Sequence, residues 1–206
     1  RAQTRAACSP YTNELFTFPN KDKQFHEHWH ANRDLCNPPH PFRAILAGPP
    51  NTGKSTCIKN LILHADPPFE QVVIISIDPT YSKEYEDIEH VALSEIPDPS
   101  DFPGDKKMLV IIDDMDYGNT TKKQAYNLNR LFGYVSTHKN VSITMAVQDC
   151  IACPTSARRT ANFFVFSRSP DIVATANIAK RAGMTSKRLL HLFESCTAHY
   201  DTIWID

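Results

Sequence analysis

The feature that most restricts this chain is the segment Gly48-Pro49-Pro50-Asn51-Thr52-Gly53-Lys54-Ser55, which matches the pattern G-x-x-x-x-G-K-[ST]. It lies between a continuous apolar run, Phe42–Ala47, and a stretch with helical character, Lys54–His64. A strand, a glycine-bounded turn and a helix in that order make an anion cradle. The glycines let the backbone double back so that successive N–H groups converge, and the helix start adds the positive end of its dipole. Pro49 and Pro50 carry no N–H, so the converging donors are expected from Asn51 to Thr56. The chemistry assigns Lys54 to the β- and γ-phosphates of a nucleotide and the Ser55 hydroxyl to Mg²⁺, with Gly48 through Thr56 as the binding loop.

Such a loop calls for an acid at the end of a buried strand nearby. Met108-Leu109-Val110-Ile111-Ile112-Asp113-Asp114 supplies two, and Asp116 is a third carboxylate close by. Asp113 is expected to support Mg²⁺, usually through water, and Asp114 to orient and deprotonate the attacking water. Adjacent carboxylates repel, so a cation is their natural companion. No Asn-Lys-x-Asp element for reading guanine is present, which makes ATP the expected nucleotide. Gln148 follows the apolar run Val141–Val147. An amide there can contact the γ-phosphate or the attacking water, or simply be a solvated strand end.

The apolar runs define the fold class. Phe42–Ala47, Gln71–Ile77 and Met108–Ile112 do not alternate with polar residues, as expected of central strands covered on both faces. Val141–Val147, Asn162–Ser167 and Tyr200–Ile205 are further strand candidates, separated by helical stretches Lys54–His64, Lys122–His138, Asp171–Ala182 and Thr185–Cys196. Gly183 is placed to stop one helix and Thr185 to cap the next. The expected architecture is a three-layer α/β domain with a mostly parallel sheet, spanning residues 42–206. Residues 1–41, broken by Pro10, Pro19, Pro38, Pro39 and Pro41, read as an irregular arm, and Ile96–Lys107 as a surface loop.

Charge sharpens the functional reading. Lys and Arg total 22 against 23 Asp and Glu, a net charge of −1, which excludes a uniformly basic nucleic-acid binder. The charges are segregated, however. Residues 66–116 hold 3 basic and 14 acidic side chains, whereas residues 117–168 hold 7 basic and 1 acidic. Within the basic part, Lys122, Lys123, Arg130 and Lys139 lie on or beside a helix, a pattern suited to sequence-independent phosphate contacts. No apolar run reaches the roughly 18 residues of a membrane span. No signal-peptide pattern is visible in residues 1–19, and 6 cysteines are too sparse for a disulfide framework, so a reducing intracellular setting is expected.

Taken together, the loop, the hydrophobic-Asp-Asp strand, the strand-end Gln148, then Pro154, Arg158-Arg159, Asn162 and a strand followed by Arg168 resemble the FtsK–HerA ATPases. Leu131-Phe132, His138-Lys139-Asn140-Val141-Ser142 and the closing Tyr200–Asp206 segment also fit. The likeness is strongest to the genome-packaging ATPases of large DNA viruses, virophages and related capsid-forming elements, and covers roughly residues 42–206. It implies a RecA-like P-loop domain that hydrolyses ATP with Mg²⁺ to move double-stranded DNA into a preformed capsid. It also implies a homo-oligomeric ring, pentamer or hexamer, and a capsid vertex or portal protein as partner. The setting would be the host cytoplasm or a viral factory, or the virion itself. Rings of this kind complete each site with an arginine from the neighbouring subunit; Arg168 is the first choice, with Arg159 and Arg158 next. The second acid is often Glu in related motors and here is the shorter Asp114, and a Gly-Arg-His element is replaced by Gly133-Tyr134-Val135-Ser136-Thr137-His138. Other classes compatible with the loop are a helicase-like or AAA-type replication ATPase, a P-loop small-molecule kinase, and a nucleotide-gated assembly protein without turnover.

Two constellations carry less chemistry. His26, His28 and His30, with Cys36 and His40 downstream, include metal-capable groups but lack a second cysteine pair for a zinc set. Cys150 and Cys153 have half-site spacing and no partner pair, so a structural role is expected. Phe163, Phe164 and Phe166 are expected in the core.

Overall fold

The computed structural model describes residues 38–77, 84–149, 151–167, 176–177, 180, 183–196 and 202–205. The apolar runs become strands β1 (Arg43–Ala47), β2 (Gln71–Ile75), β3 (Val91–Leu93), β4 (Met108–Ile112), β5 (Val141–Val147), β6 (Phe163–Ser167) and β7 (Thr202–Ile205). Helices α1 (Lys54–Leu63), α2 (Lys122–Arg130), α3 (Thr155–Thr160) and α4 (Ser186–Cys196) are distributed among them. The strands form one sheet in the order β3-β2-β4-β5-β1-β6-β7. Every pairing is parallel except that of β6 with β7.

Alternate side chains of each strand point to opposite faces, and both faces are covered. On one, Ile45, Ile75, Val110, Ile112, Ile143, Met145 and Phe166 meet Leu128, Phe132, Ala157 and Leu189 from the helical side. On the other, Ala44, Leu46, Ile74, Leu109, Ile111, Ala146 and Val165 meet Ile58 of α1 and Tyr85. This is why β4 carries five buried residues in succession, as the unbroken apolar runs require. Phe163 and Phe166 are core residues as expected, while Phe164 is half-buried and stacks on Phe166.

The long helix expected over Lys122–His138 forms, but with a change of pitch. After α2 the chain makes a π turn, Leu131–Val135, and a last helical turn, Ser136–His138. Leu131, Phe132 and Val135 are all buried, so the wider turn directs three apolar side chains onto the sheet. The segment read as a surface loop, Ile96–Lys107, contains no strand or α-helix and is mostly solvent-accessible, but it is anchored by two buried residues, Ile96 and Phe102. They flank a single 3₁₀ turn, Pro99–Asp101, with a capping box between Asp98 and Asp101. Thr185 caps α4 as expected, its Oγ1 accepting from the N–H of Arg188 at 3.3 Å, and Gly183 has a left-handed φ of 66°; most of the helix expected over Asp171–Ala182 lies outside the described residues. His26, His28, His30 and Cys36 of the arm, Cys150 and Arg168 lie outside the described residues.

Candidate nucleotide site

The parallel strands β1, β2, β4 and β5 end on one edge of the sheet, where open α/β folds form their crevices. β5 lies between β1 and β4, with Ala47 paired to Val147 and Ile112 to Met145. Gln148 therefore emerges between the loop and the carboxylates. The N–H of Gly48 donates to the Val147 carbonyl at 3.1 Å, and that of Asp113 donates to the Ile75 carbonyl at 2.9 Å. These bonds tie four strand ends in two pairs, β1 with β5 and β4 with β2.

A cavity of about 750 Å³ opens there. Its floor is the loop from Pro50 to Thr56, and its walls include Lys59, Ser76, Glu84, Tyr85, Asp113, Asp114 and Gln148. The loop is shaped by local chemistry. Asn51 and Gly53 adopt left-handed φ of 61° and 84°, conformations open to Asn and above all to Gly. Gly48 is required by space: a Cβ there would come within 2.7 Å of the Ser167 Cβ and 2.8 Å of the Thr52 Oγ1. Thr52 Oγ1 donates to the Pro49 carbonyl at 2.8 Å, and Lys54 Nζ donates to the carbonyls of Gly48 and Pro49 at 2.8 and 2.9 Å. Gly53 precedes α1 with no capping side chain, and the first turn of α1 carries no acid. The orphan N–H groups of that turn can thus serve an anion.

The opposite wall is acidic. Burial is the main cause that lifts the Asp113 carboxyl from its ordinary 3.8 to about 6, and Asp114 and Glu84 add repulsion. The Tyr85 hydroxyl, which donates to Asp113 Oδ2 at 3.0 Å, and Lys54 oppose that rise. Burial also lowers Lys54 and raises Tyr85. Asp114 is exposed and held at φ of 50°, a strained geometry that turns the chain sharply after β4.

The donor set fits Mg²⁺. Ser55 and Asp113 offer hard oxygens, and of the described cations lining this cavity Lys59 pairs with Asp87 at 2.8 Å and Lys54 is engaged by the loop. Among the described residues no cluster of three or more His, Cys, Asp or Glu side chains forms a ready cage. Mg²⁺ commonly takes one or two protein ligands and completes its shell with phosphates and water.

The structure thus gathers Pro50, Asn51, Thr52, Gly53, Lys54, Ser55, Thr56, Asp113, Asp114 and Gln148 around one cavity, with Gly48 and Pro49 beneath the lysine. It does not bring Arg158 and Arg159 there. Both are on α3, where Arg158 Nη2 donates to Thr155 Oγ1 at 3.2 Å and Arg159 is exposed. Asp116 caps its own turn through Gly118 and Asn119. Lys139 Nζ donates to the Phe102 carbonyl at 3.0 Å, a structural use of one expected phosphate contact. Cys153 is buried, with Sγ 3.3 Å from Met145 Sδ. Sequence reasoning missed Tyr85 and Glu84. They sit in an acidic run, Glu84-Tyr85-Glu86-Asp87, and the available signal was its position after a strand that ends on the cavity edge.

No protein-family model matches this chain, and no curated protein matches it in sequence. Solved structures do. The genome packaging NTPase B204 from Sulfolobus turreted icosahedral virus 2, in complex with ATP-gammaS, superposes with a TM-score of 0.57 at 14% identity, over 81% of this chain and 92% of that one. The DNA-packaging ATPase B204 from Sulfolobus turreted icosahedral virus gives a TM-score of 0.54 at 15% identity, over 78% and 90%. At such identity the likeness speaks for architecture. With its loop between β1 and α1, the chain has the P-loop NTPase fold, shared with these two solved structures.

Proposed function

We propose that this protein is an ATPase that drives double-stranded DNA, packaging a viral genome into a preformed capsid as a homo-oligomeric ring. The observation that carries the reading is the interposition of β5, which sets the Gln148 amide in the same cavity as Lys54, Asp113 and Asp114. An amide on a central strand, followed directly by a surface turn, is suited to linking the state of the γ-phosphate to movement elsewhere. The fold shared with proteins described as packaging NTPases supports the same reading.

In this scheme Lys54 releases the Gly48 and Pro49 carbonyls to take the β- and γ-phosphates, while the α1 N-terminus and the Asn51–Thr56 amides hold the remaining oxygens. Magnesium, held by Ser55 and through water by Asp113, would offset the charge of the phosphates. Asp114 orients the attacking water and accepts its proton, and Gln148 contacts the γ-phosphate or that water. An arginine of the neighbouring subunit, Arg168 first and Arg159 or Arg158 next, stabilises the transferring phosphoryl group. A capsid vertex or portal protein is the expected docking partner. Among the described residues no helix is long and apolar enough to cross a membrane.

The test is the rate of phosphate release with and without double-stranded DNA at two salt concentrations. Stimulation by DNA that fades with salt is expected. ATP consumption indifferent to DNA, with the γ-phosphoryl group transferred to a metabolite rather than released as phosphate, would favour a kinase instead, and intact ATP after long incubation with DNA would favour a nucleotide-gated assembly protein.

A further inference from the structure

One exposed ridge runs the length of α2 and its π continuation. Lys122, Tyr126, Arg130, Tyr134 and His138 recur every four residues, a spacing that keeps side chains on one helical face. Tyr126 is 58% and Tyr134 37% exposed, and Lys122 and His138 are exposed as well. The ridge is ordered by contact: the Arg130 guanidinium lies 4.4 Å from the Tyr134 ring centroid, and the Tyr134 and His138 rings are 4.6 Å apart at 31°. The π turn takes more residues per revolution than an α-helix, which brings Arg130 and Tyr134 towards alignment.

The helical segment itself carries charge of one sign; facing it from the preceding segment are Glu95, whose Oε2 accepts from Gln124 Nε2 at 3.2 Å, and Asp98 beside Lys123. No Asp or Glu occurs from Tyr117 to Gln148. Among the described residues no carboxylate forms an ion pair with Lys122 or Arg130; Arg130 is half-buried, with its Nε–H buried and lacking an acceptor. The neighbouring Lys123, also exposed, has Asp98 within electrostatic reach. A solvated helix face ordinarily mixes both signs, so a polyanion is the complement of this one.

We propose that this ridge grips the phosphate backbone of duplex DNA, with Tyr134 acting as the element that presets Arg130. The inference rests on the DNA-translocation reading and names the surface that serves it. A guanidinium pinned over an aromatic ring keeps its donor fork in one orientation and loses less freedom on meeting a phosphate. Tyr134 is flanked by Arg130 on one turn and His138 on the next, so its ring is used within the ridge rather than offered to an unstacked base. That favours a duplex over a single strand. From Lys122 to His138 the ridge spans about 24 Å, or roughly seven base pairs of backbone. Contacts of this kind read no sequence, as a motor that moves any genome requires.

The test is binding of a short labelled duplex to the full chain, followed by anisotropy between about 50 and 200 mM salt, with thermal melting as the control for folding. Arg130→Ala is expected to weaken binding and to reduce the salt slope by about 1. Tyr134→Ala, which removes no charge, is expected to bind about two- to fivefold more weakly, while Tyr134→Phe binds as the wild type does. Wild-type protein that fails to bind duplex at low salt would sink both the DNA reading and the ridge. Duplex binding unchanged by Arg130→Ala and Lys122→Ala would overturn the ridge alone. So would tighter binding of a single strand, or an Arg130→Ala effect confined to self-association.

Discussion

Replacing Asp113 with Asn should stabilise the nucleotide-free, metal-free protein at neutral pH while abolishing hydrolysis. The reasoning starts from burial, which lifts this carboxyl from 3.8 to about 6 against the opposing hydrogen bond from Tyr85. An acid raised on folding binds its proton more tightly in the native state. Its contribution is most favourable at low pH and is lost as pH rises from about 4 through the folded value near 6. Two pKa units correspond to about 3 kcal/mol at pH 7.5, and to about 1 kcal/mol at pH 4.5, where much of the penalty has yet to develop. Asn keeps the size of the side chain and an acceptor for the Tyr85 hydroxyl but never ionises. Urea unfolding of wild type and Asp113→Asn at both pH values measures the difference, and other titrating groups cancel in the comparison. The variant's advantage should grow by about 2 kcal/mol between the two pH values. An Asp113→Asn protein less stable than wild type by the same amount at both would refute the reasoning, and would mean that the ionised carboxylate is satisfied without a cation.

Three further outcomes follow from the same geometry. Gly48→Ala should cost about 1–3 kcal/mol by overpacking against Ser167 and Thr52, lowering the melting temperature by a few degrees; adding Ser167→Gly should recover part of the loss, and a double variant no more stable than Gly48→Ala would count against that contact. Tyr85→Phe keeps the buried ring but frees Asp113 Oδ2, so the Mg²⁺ concentration needed to support nucleotide binding, read by titration with a non-hydrolysed ATP analogue, should rise about tenfold; an unchanged requirement would reduce Tyr85 to packing. Mixing Asp114→Asn with Arg168→Ala subunits, each inactive alone, should restore part of the ATPase rate if the arginine acts across the subunit boundary, and no recovery would remove Arg168 from that role.

The parts of this architecture legible in the sequence are those where one physical demand dominates. Met108–Ile112 and Val141–Val147 match β4 and β5 residue for residue because both faces of those strands are buried; β4 is apolar throughout, and the two polar residues of β5, Ser142 and Thr144, are small and buried with the rest. β2 stops at Ile75, two residues before its apolar run does, because the Ser76 N–H already pairs with Leu93 and Ile77 is 59% exposed. β3 was illegible: it is a three-residue edge strand with no buried residue, inside an acidic stretch. α3 is six residues long and has no side-chain cap, so neither periodicity nor a start signal announces it. Ile96 and Phe102 looked like loop residues among prolines and aspartates, yet Gln124 and Asn127 hold the adjacent backbone by accepting from the Ile96 N–H and donating to its carbonyl. The loop, Asp113, Asp114 and Gln148 were legible because their chemistry is local to strand ends. Tyr85 was not, because its role depends on a contact 28 residues away.

The central claim, that hydrolysis at this site moves duplex DNA, is tested most directly by displacement of a labelled third strand from a triplex. The account predicts that ATP releases the strand, that a slowly hydrolysed analogue does not, and that Asp114→Asn protein binds the duplex without releasing it. Steady ATP hydrolysis on duplex with no strand released would contradict it.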